Sequence, residues 1–324
     1  MSGPRRFSFM RPKPKILITA PAYFDQEAVA LFQELGEVTA REVDYHQLLE
    51  CAADYDVLAI RVDTPVDKNI IDAAKKLKVI ATGTTGVNHI DVDHAKKKGI
   101  EIISLQGANT TATAEHTIAL LLNLMRKVSA AHHSLLSGKW QRKEFIGTQL
   151  HGKKLGVLGF GRIGQEVAKR AQAFHMQILA YDPYLPEAVF SACGAIRKKT
   201  IEEVLSEADA ITLHVLLTEE TKGFLNKDKL ALMKPNAIVI NCSRGEVISE
   251  LDLISALEQR QIAGAALDVF AAEPLLPDNP LVQYAKKYSN LILTPHIAGS
   301  TKEAIHEAGL FVAVKTQEFF AEKT

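Results

Sequence analysis

The chain has 324 residues, too many for one small domain and enough for two that each bury a core. Its 38 Lys and Arg balance 38 Asp and Glu, so no single-signed field covers the molecule to draw in nucleic acid or an anionic membrane. At 47% hydrophobic and 23% charged residues, the composition excludes global disorder.

In chain order, residues 1 to 14 come first. Arg5, Arg6, Arg11 and Lys13 stand beside Pro4, Pro12 and Pro14, which reads as a solvated, disordered tail rather than a nucleic-acid arm. The tail lacks the apolar run of an export signal, and the greasiest later stretch, Ile118 to Met125, is far shorter than a membrane span. From Lys15 onward, KILIT, VLAI, KVIATG and EIIS read as strands, with EAVALFQEL, NIIDAAKKL and VDHAKKKG as helices between them. That alternation predicts parallel strands joined by crossover helices.

Around Thr110 the rhythm breaks for two long helical patterns reaching about Ser137, whose broad apolar faces suggest a seam between domains and a symmetric dimer. A second alternating series starts at Lys153. KKLGVLGF, QILAYD, AITLH, AIVINC, AGAALDV and LILTPH are its strands, and IGQEVAKRAQAF, IEEVLSEA and ELDLISALEQ its helices. A final helix, Thr301 to about Glu322, has no strand after it and is expected to cross back onto the first domain. The fold class is therefore α/β, with two doubly wound parallel sheets.

The sharpest local signal is Gly159-Phe160-Gly161-Arg162-Ile163-Gly164, between the apolar strand LGVL and an amphipathic helix. Gly159 permits a tight turn, Gly161 lets backbone approach a pyrophosphate, and Gly164 allows close helix-on-strand packing. The helix start offers N–H groups to the anion. Asp182, at the end of QILAY, is placed to accept from an adenosine ribose and to repel a 2′-phosphate, which favours NAD over NADP. FAD fits less well, because the turn sits mid-chain after a complete α/β domain. The three scattered cysteines, Cys51, Cys193 and Cys242, make no disulfide framework or zinc knuckle, and a reducing cytoplasm suits them. The remaining histidines, including His132 and His133, show no metal-ligand spacing and read mostly as ordinary surface residues.

Oxidising a secondary alcohol by hydride transfer needs a base for the hydroxyl proton, a cation for a substrate carboxylate and a partner that orients the base. His296, just after LILTP at a strand's carboxyl end, is a candidate base, although an isolated histidine reads more readily as a satisfied loop histidine. Arg244 is a candidate clamp, its planar fork being matched to a carboxylate, or else a helix-entry arginine in an ion pair.

GFGRIG, NCSRGEVI, AALDVFAAEP and LTPHIAGST, in this order, resemble the D-isomer-specific 2-hydroxyacid dehydrogenases from about Lys15 to the C-terminus. The resemblance implies a Rossmann NAD-binding domain over 108–298, inserted into a flavodoxin-like substrate domain formed by 15–107 and 299–324. It implies His296 as acid/base, Glu273 as the carboxylate holding it, and Arg244 as the substrate clamp. Without it, Glu273 is a turn acid before Pro274 and Asp268 a turn cap. With it, Asp268 accepts from the nicotinamide carboxamide, His214 and Cys242 line the cofactor, and Leu216 replaces the family's usual proline. The N–H groups of Thr85 and Gly86, in GTTGVN, are placed on the substrate carboxylate, with substrate held between both domains.

SGKWQRKEFIGTQLHGKKLG and HIAGSTKEA are closest to the family's branch acting on 3-phosphoglycerate in serine biosynthesis. A phosphate needs further cations, for which Arg61, Arg142 and Lys143 are the candidates, the last two across a dimer interface. The branch's RSATKV and RAGTGV read here as Arg61-Val62-Asp63-Thr64-Pro65-Val66 and Thr82-Gly83-Thr84-Thr85-Gly86-Val87, losing two cations and adding Asp63. The expected function is NAD-dependent interconversion of a D-2-hydroxyacid and its 2-oxoacid in a cytoplasmic homodimer or dimer-based oligomer. No metal, nucleic acid or membrane is expected. The alternatives are a glyoxylate, hydroxypyruvate or D-lactate type reductase, and an NAD-sensing corepressor-like scaffold. The length leaves no room for the serine-binding regulatory domain of longer relatives.

Overall fold

The computed structural model describes residues 12–105 and 107–322; of the tail predicted over 1–14, residues 1–11 lie outside the described residues. The chain forms two compact units, Met1–Asn109 with Thr301–Thr324, and Thr110–Ser300, so the second is an insertion in the first.

The first unit carries β1 (Lys15–Ile18), β2 (Glu37–Ala40), β3 (Val57–Ile60), β4 (Val79–Thr82) and β5 (Glu101–Ser104). They lie in the order β2-β1-β3-β4-β5, all parallel. β3 and β4 are covered on both faces, which is why they read as unbroken runs, VLAI and VIAT, instead of alternating. β2 was not predicted: EVTA is an edge strand with three of its four residues exposed, so no apolar run announces it. The helix Tyr45–Cys51 was missed too, although Asp44 and Gln47 form a capping box at its start. NIIDAAKKL stops being helical at Ala73. The closing helix, Lys302–Glu322, buries Val312 and Ala313 against Ile16, Ile18, Phe24 and Phe32, and the Gln317 amide donates to the Leu31 carbonyl at 2.7 Å.

The second unit carries β6 (Lys154–Leu158), β7 (Gln177–Tyr181), β8 (Ile196–Arg197), β9 (Ala210–Leu213), β10 (Ile238–Asn241), β11 (Gly264–Leu267) and β12 (Leu291–Leu293). Their order is β12-β11-β10-β9-β6-β7-β8, again all parallel. The fold is thus two doubly wound parallel α/β sheets, as the sequence predicts. The strand order reverses between β6 and β9, and the crevice outside their carboxyl ends is where open sheets of this kind bind ligands.

Two apolar layers sandwich the sheet. One joins Leu213, Val239, Leu253 and Leu267; the other joins Val157, Phe160, Ile178 and Val167 with Ile118 and Leu121 of the helix Thr110–Arg126. The following helix, Val128–Leu136, buries none of its residues. Among the described residues no helix is long and apolar enough to cross a membrane.

Candidate active site

The glycine turn follows β6 directly. Gly159 has φ +87°, a left-handed conformation, and a side chain there would run into the His214 carbonyl at 2.5 Å. A Cβ on Gly164 would stand 2.3 Å from the Gly159 carbonyl oxygen, so the helix Arg162–Ala173 sits down on the turn only because that side chain is missing. Gly161 differs: a Cβ there would meet nothing within 4 Å. It is also the N-cap of that helix, and no side chain caps the first turn. Arg162 opens the helix on its exposed side and Ile163 is half-buried behind it. The Phe160 N–H and the Tyr184 N–H each donate to the Asp182 carboxylate at 3.0 Å, tying the end of β7 to the turn.

His214 follows β9 on the other side of the reversal point. Its Nε2 pairs with Thr212 Oγ1 at 2.9 Å, while Nδ1 is shut off from solvent without a partner. Burial with no compensating charge pushes its pKa down to about 3. These residues fit a dinucleotide: uncapped helix N–H groups, open space at Gly161, and a sealed histidine nitrogen beside the same turn.

At the ends of β11 and β12 a second group assembles. Burial would raise the Glu273 pKa, but its bonds to His296 and to the Phe270 N–H outweigh that and hold it below the usual carboxylate range. Being ionised it only accepts: Oε1 takes the Phe270 N–H at 3.0 Å and Oε2 takes His296 Nδ1 at 2.7 Å. His296 itself has φ +53°, unusual for a residue with a side chain. Its backbone N–H donates to the Asp268 carbonyl at 2.8 Å. The Asp268 carboxylate, fully buried, accepts from Thr294 Oγ1 at 2.6 Å, Ile297 N at 2.9 Å and Ala298 N at 2.7 Å.

Arg244 is set by the turn after β10. The Asn241 side chain donates to the Arg244 carbonyl at 2.8 Å and accepts from Ser243 N and Oγ at 3.0 and 2.8 Å. Burial lowers the Arg244 pKa, and the negative charges of Glu246 and Glu273 act against that. Its guanidinium Nη1 donates to the Ser243 carbonyl at 2.6 Å. Cys242 is buried beside it, its thiol pushed up to about 12, so it is no thiolate at neutral pH.

In the first unit, taken by itself, Arg61 follows β3. Its Nη1 donates to the Gly83 carbonyl, its guanidinium lies 4.6 Å from the Tyr23 ring centre, and its Nε is buried without a partner. Thr85 is exposed, its hydroxyl donating to the Leu105 carbonyl and to Asn109, and the Gly86 carbonyl accepts from Thr84 Oγ1 at 2.7 Å. Thr82 is fully buried, with Oγ1 2.7 Å from Thr84 Oγ1 and 3.1 Å from His89 Nε2. In the second unit, Arg142 and Lys143 are exposed on the segment after the helix Val128–Leu136.

The structure therefore brings Glu273, His296 and Asp268 together, and Asp182, Gly159 and His214 around the other end of the crevice. It also shows functional neighbours that the sequence reading missed. His116 is not an ordinary surface histidine: its side chain is 19% exposed and its Nε2 lies 3.2 Å from Thr294 Oγ1. Asn241 and Thr294 stood inside quoted motifs, NCSRGEVI and LTPHIAGST, and position alone gave them no chemistry.

A doubly wound parallel sheet with an uncapped helix start at its reversal point defines the dinucleotide-binding class of α/β domains. Residues 118–298 match the model of the D-isomer specific 2-hydroxyacid dehydrogenase, NAD binding domain, and the chain belongs to that family. NAD is accordingly the cofactor of this domain. The chain is 45% identical over 300 residues to D-3-phosphoglycerate dehydrogenase of Methanocaldococcus jannaschii, covering 92% of this chain and 56% of that protein. It is 39% identical over 293 residues to hydroxypyruvate reductase of Thermotoga maritima, covering 90% and 94%. The glyoxylate reductase of Paecilomyes thermophila superposes with a TM-score of 0.83 at 28% identity, covering 95% of each chain. The chain spans about half the length of the D-3-phosphoglycerate dehydrogenases it matches.

Proposed function

We propose that this protein interconverts a D-2-hydroxyacid and its 2-oxoacid with NAD, the pair being 3-phosphoglycerate and 3-phosphohydroxypyruvate. The observation that carries the reading is the 2.7 Å contact between His296 Nδ1 and the ionised Glu273 carboxylate at a strand's carboxyl end. NAD supplies the hydride acceptor, and NADH the donor, for the substrate carbon. With Nδ1 committed to Glu273, Nε2 is the nitrogen that takes the hydroxyl proton in oxidation and returns it in reduction. Glu273 fixes the tautomer and orientation of the His296 ring. Arg244, half-buried and always charged, grips the substrate carboxylate and polarises the 2-oxo group. Asp182 takes the adenosine ribose, and Arg162, Ile163, His214, Cys242 and Asp268 surround the dinucleotide. In the first unit, Arg61 and the backbone of Thr85 and Gly86 are the donors assigned to the substrate's acidic groups.

The exposed Val128, Leu135, Leu136, Trp140 and Ile146, on and after a helix that buries nothing, support self-association as a dimer, with Arg142 and Lys143 on that segment serving the phosphate. Light scattering gives the mass directly. The lack of any disulfide among the three cysteines supports a cytoplasmic setting.

A second reading, reduction of unphosphorylated 2-oxoacids, is favoured by Arg61 being bonded to Gly83 and by a threonine, Thr82, closing the end of β4. The test is NADH oxidation with 3-phosphohydroxypyruvate, hydroxypyruvate, glyoxylate and pyruvate. A preference of about a hundredfold or more in kcat/KM for the phosphorylated acid, weakened by salt, is expected. Equal or better use of hydroxypyruvate or glyoxylate establishes the second reading, and NADH binding without turnover on any of the four points to a scaffold.

A further inference from the structure

Within the unit Thr110–Ser300, His116 on the helix Thr110–Arg126 meets a turn 178 residues further along the chain. Its Nε2 lies 3.2 Å from Thr294 Oγ1 and 3.5 Å from Asp268 Oδ1. The direction of these bonds follows from proton counting. Burial pushes the Asp268 pKa up, but the donors around it outweigh that and bring it below the usual range, so its carboxylate is ionised and only accepts. The single hydroxyl proton of Thr294 is given to that carboxylate across 2.6 Å. Thr294 Oγ1 therefore accepts from His116, and His116 Nε2 carries a proton whether the ring is neutral or cationic.

The same carboxylate holds Ile297 N and Ala298 N, and the Asp268 carbonyl holds His296 N. The turn from Thr294 to Ala298 is thus wrapped around one buried aspartate, with His296 in its middle at φ +53°. A left-handed residue with a side chain is strained and persists only where its surroundings over-determine it. His116, from a helix outside the turn, and Thr294, at the turn's start, supply part of that determination.

We propose that His116 and Thr294 are positioning residues for His296: through Asp268 they hold the turn that presents the imidazole to Glu273 in the orientation proton transfer requires. The inference rests on His296 being the acid/base of the reaction. Neither residue touches substrate in this account. Loss of His116 leaves the Thr294 to Asp268 bond in place, so the turn loosens by fractions of an ångström rather than unfolding. Misplacement on that scale is felt in the rate of the chemical step, because proton and hydride transfer need near-attack geometry.

The test uses the full chain with His116→Leu and Thr294→Val, and with His116→Gln and Thr294→Ser, which restore a donor and a hydroxyl. Four quantities are measured: kcat and KM for the best 2-oxoacid, the NADH dissociation constant, and the ¹⁵N signals of the His296 ring, assigned with His296→Gln. The disruptive variants are expected to lose about tenfold to a hundredfold in kcat, with KM and NADH affinity within about twofold. They shift the His296 ring signals, and the conservative pair restores both rate and signals. His116→Leu combined with Thr294→Val is no worse than the poorer single variant, since both cut one chain of contacts. Unchanged kcat overturns the proposal. So do equal losses in His116→Gln and His116→Leu, or a fall in NADH affinity that parallels kcat. If His296→Gln keeps wild-type turnover, the acid/base reading has failed instead, and the ring signals still report whether His116 and Thr294 set the imidazole.

Discussion

Two histidines follow strand ends of the same sheet, and the structure treats them in opposite ways. His214 follows β9 with a threonine hydroxyl on one nitrogen, no partner on the other and no carboxylate beside it. His296 follows β12, half-buried, with an ionised carboxylate 2.7 Å from Nδ1. Burial without charge keeps the His214 ring neutral, whereas the His296 ring has one nitrogen held by a carboxylate and the other left to act. Location at a carboxyl end is therefore not what distinguishes the two rings; on the reading proposed above, the partner does.

Removing the partner's charge breaks that difference at its source. Glu273→Gln keeps the shape and a bond to Nδ1 but removes the charge, and kcat is expected to fall by about a hundredfold or more with NADH affinity nearly unchanged. A fall below about threefold in stopped-flow turnover means that the charge is not what distinguishes the two histidines. Next comes the Arg244 turn. Asn241→Ala removes the side chain that bonds Arg244 and Ser243, and the KM for the 2-oxoacid is expected to rise by about tenfold. Steady-state kinetics with substrate varied at saturating NADH reads this, and an unchanged KM means the turn holds Arg244 unaided.

A stability measurement sharpens the comparison from the His214 side. Folded His214 resists protonation down to about pH 3, whereas the unfolded chain takes that proton near pH 6.5. Between those values the unfolded state binds the extra proton, so stability is present above about pH 6.5 and is lost as the pH falls, by up to about 1.4 kcal/mol per unit. Denaturant unfolding of His214→Gln is expected to lose about 2 kcal/mol less than the wild type between pH 7 and pH 5. An identical pH dependence in both proteins means His214 is not held neutral by burial.

The glycine turn was legible because its requirement is local. A left-handed Gly159 and a Gly164 lacking the Cβ that would strike the turn are backbone conditions, and backbone conditions leave a spacing in the sequence. The covered strands were legible as apolar runs, while β2 and the two-residue β8, exposed at sheet edges, had no run to show. His296 and Glu273 stood out as chemistry in the right motifs, but the bond between them is a matter of fold. For the same reason, His116 was not singled out. Nothing in AEHT separates a surface histidine from one whose partner arrives 178 residues later. Asn241 was hidden differently, inside a motif whose arginine drew the attention while the asparagine shapes the turn.

The most direct test of the account separates chemistry from cofactor binding in a single variant. His296→Ala is measured for NADH oxidation with the preferred 2-oxoacid and, in the same sample, for NADH affinity by fluorescence titration. The account predicts a loss of about a thousandfold or more in kcat with the NADH dissociation constant within about twofold of wild type. Wild-type turnover in His296→Ala would contradict it.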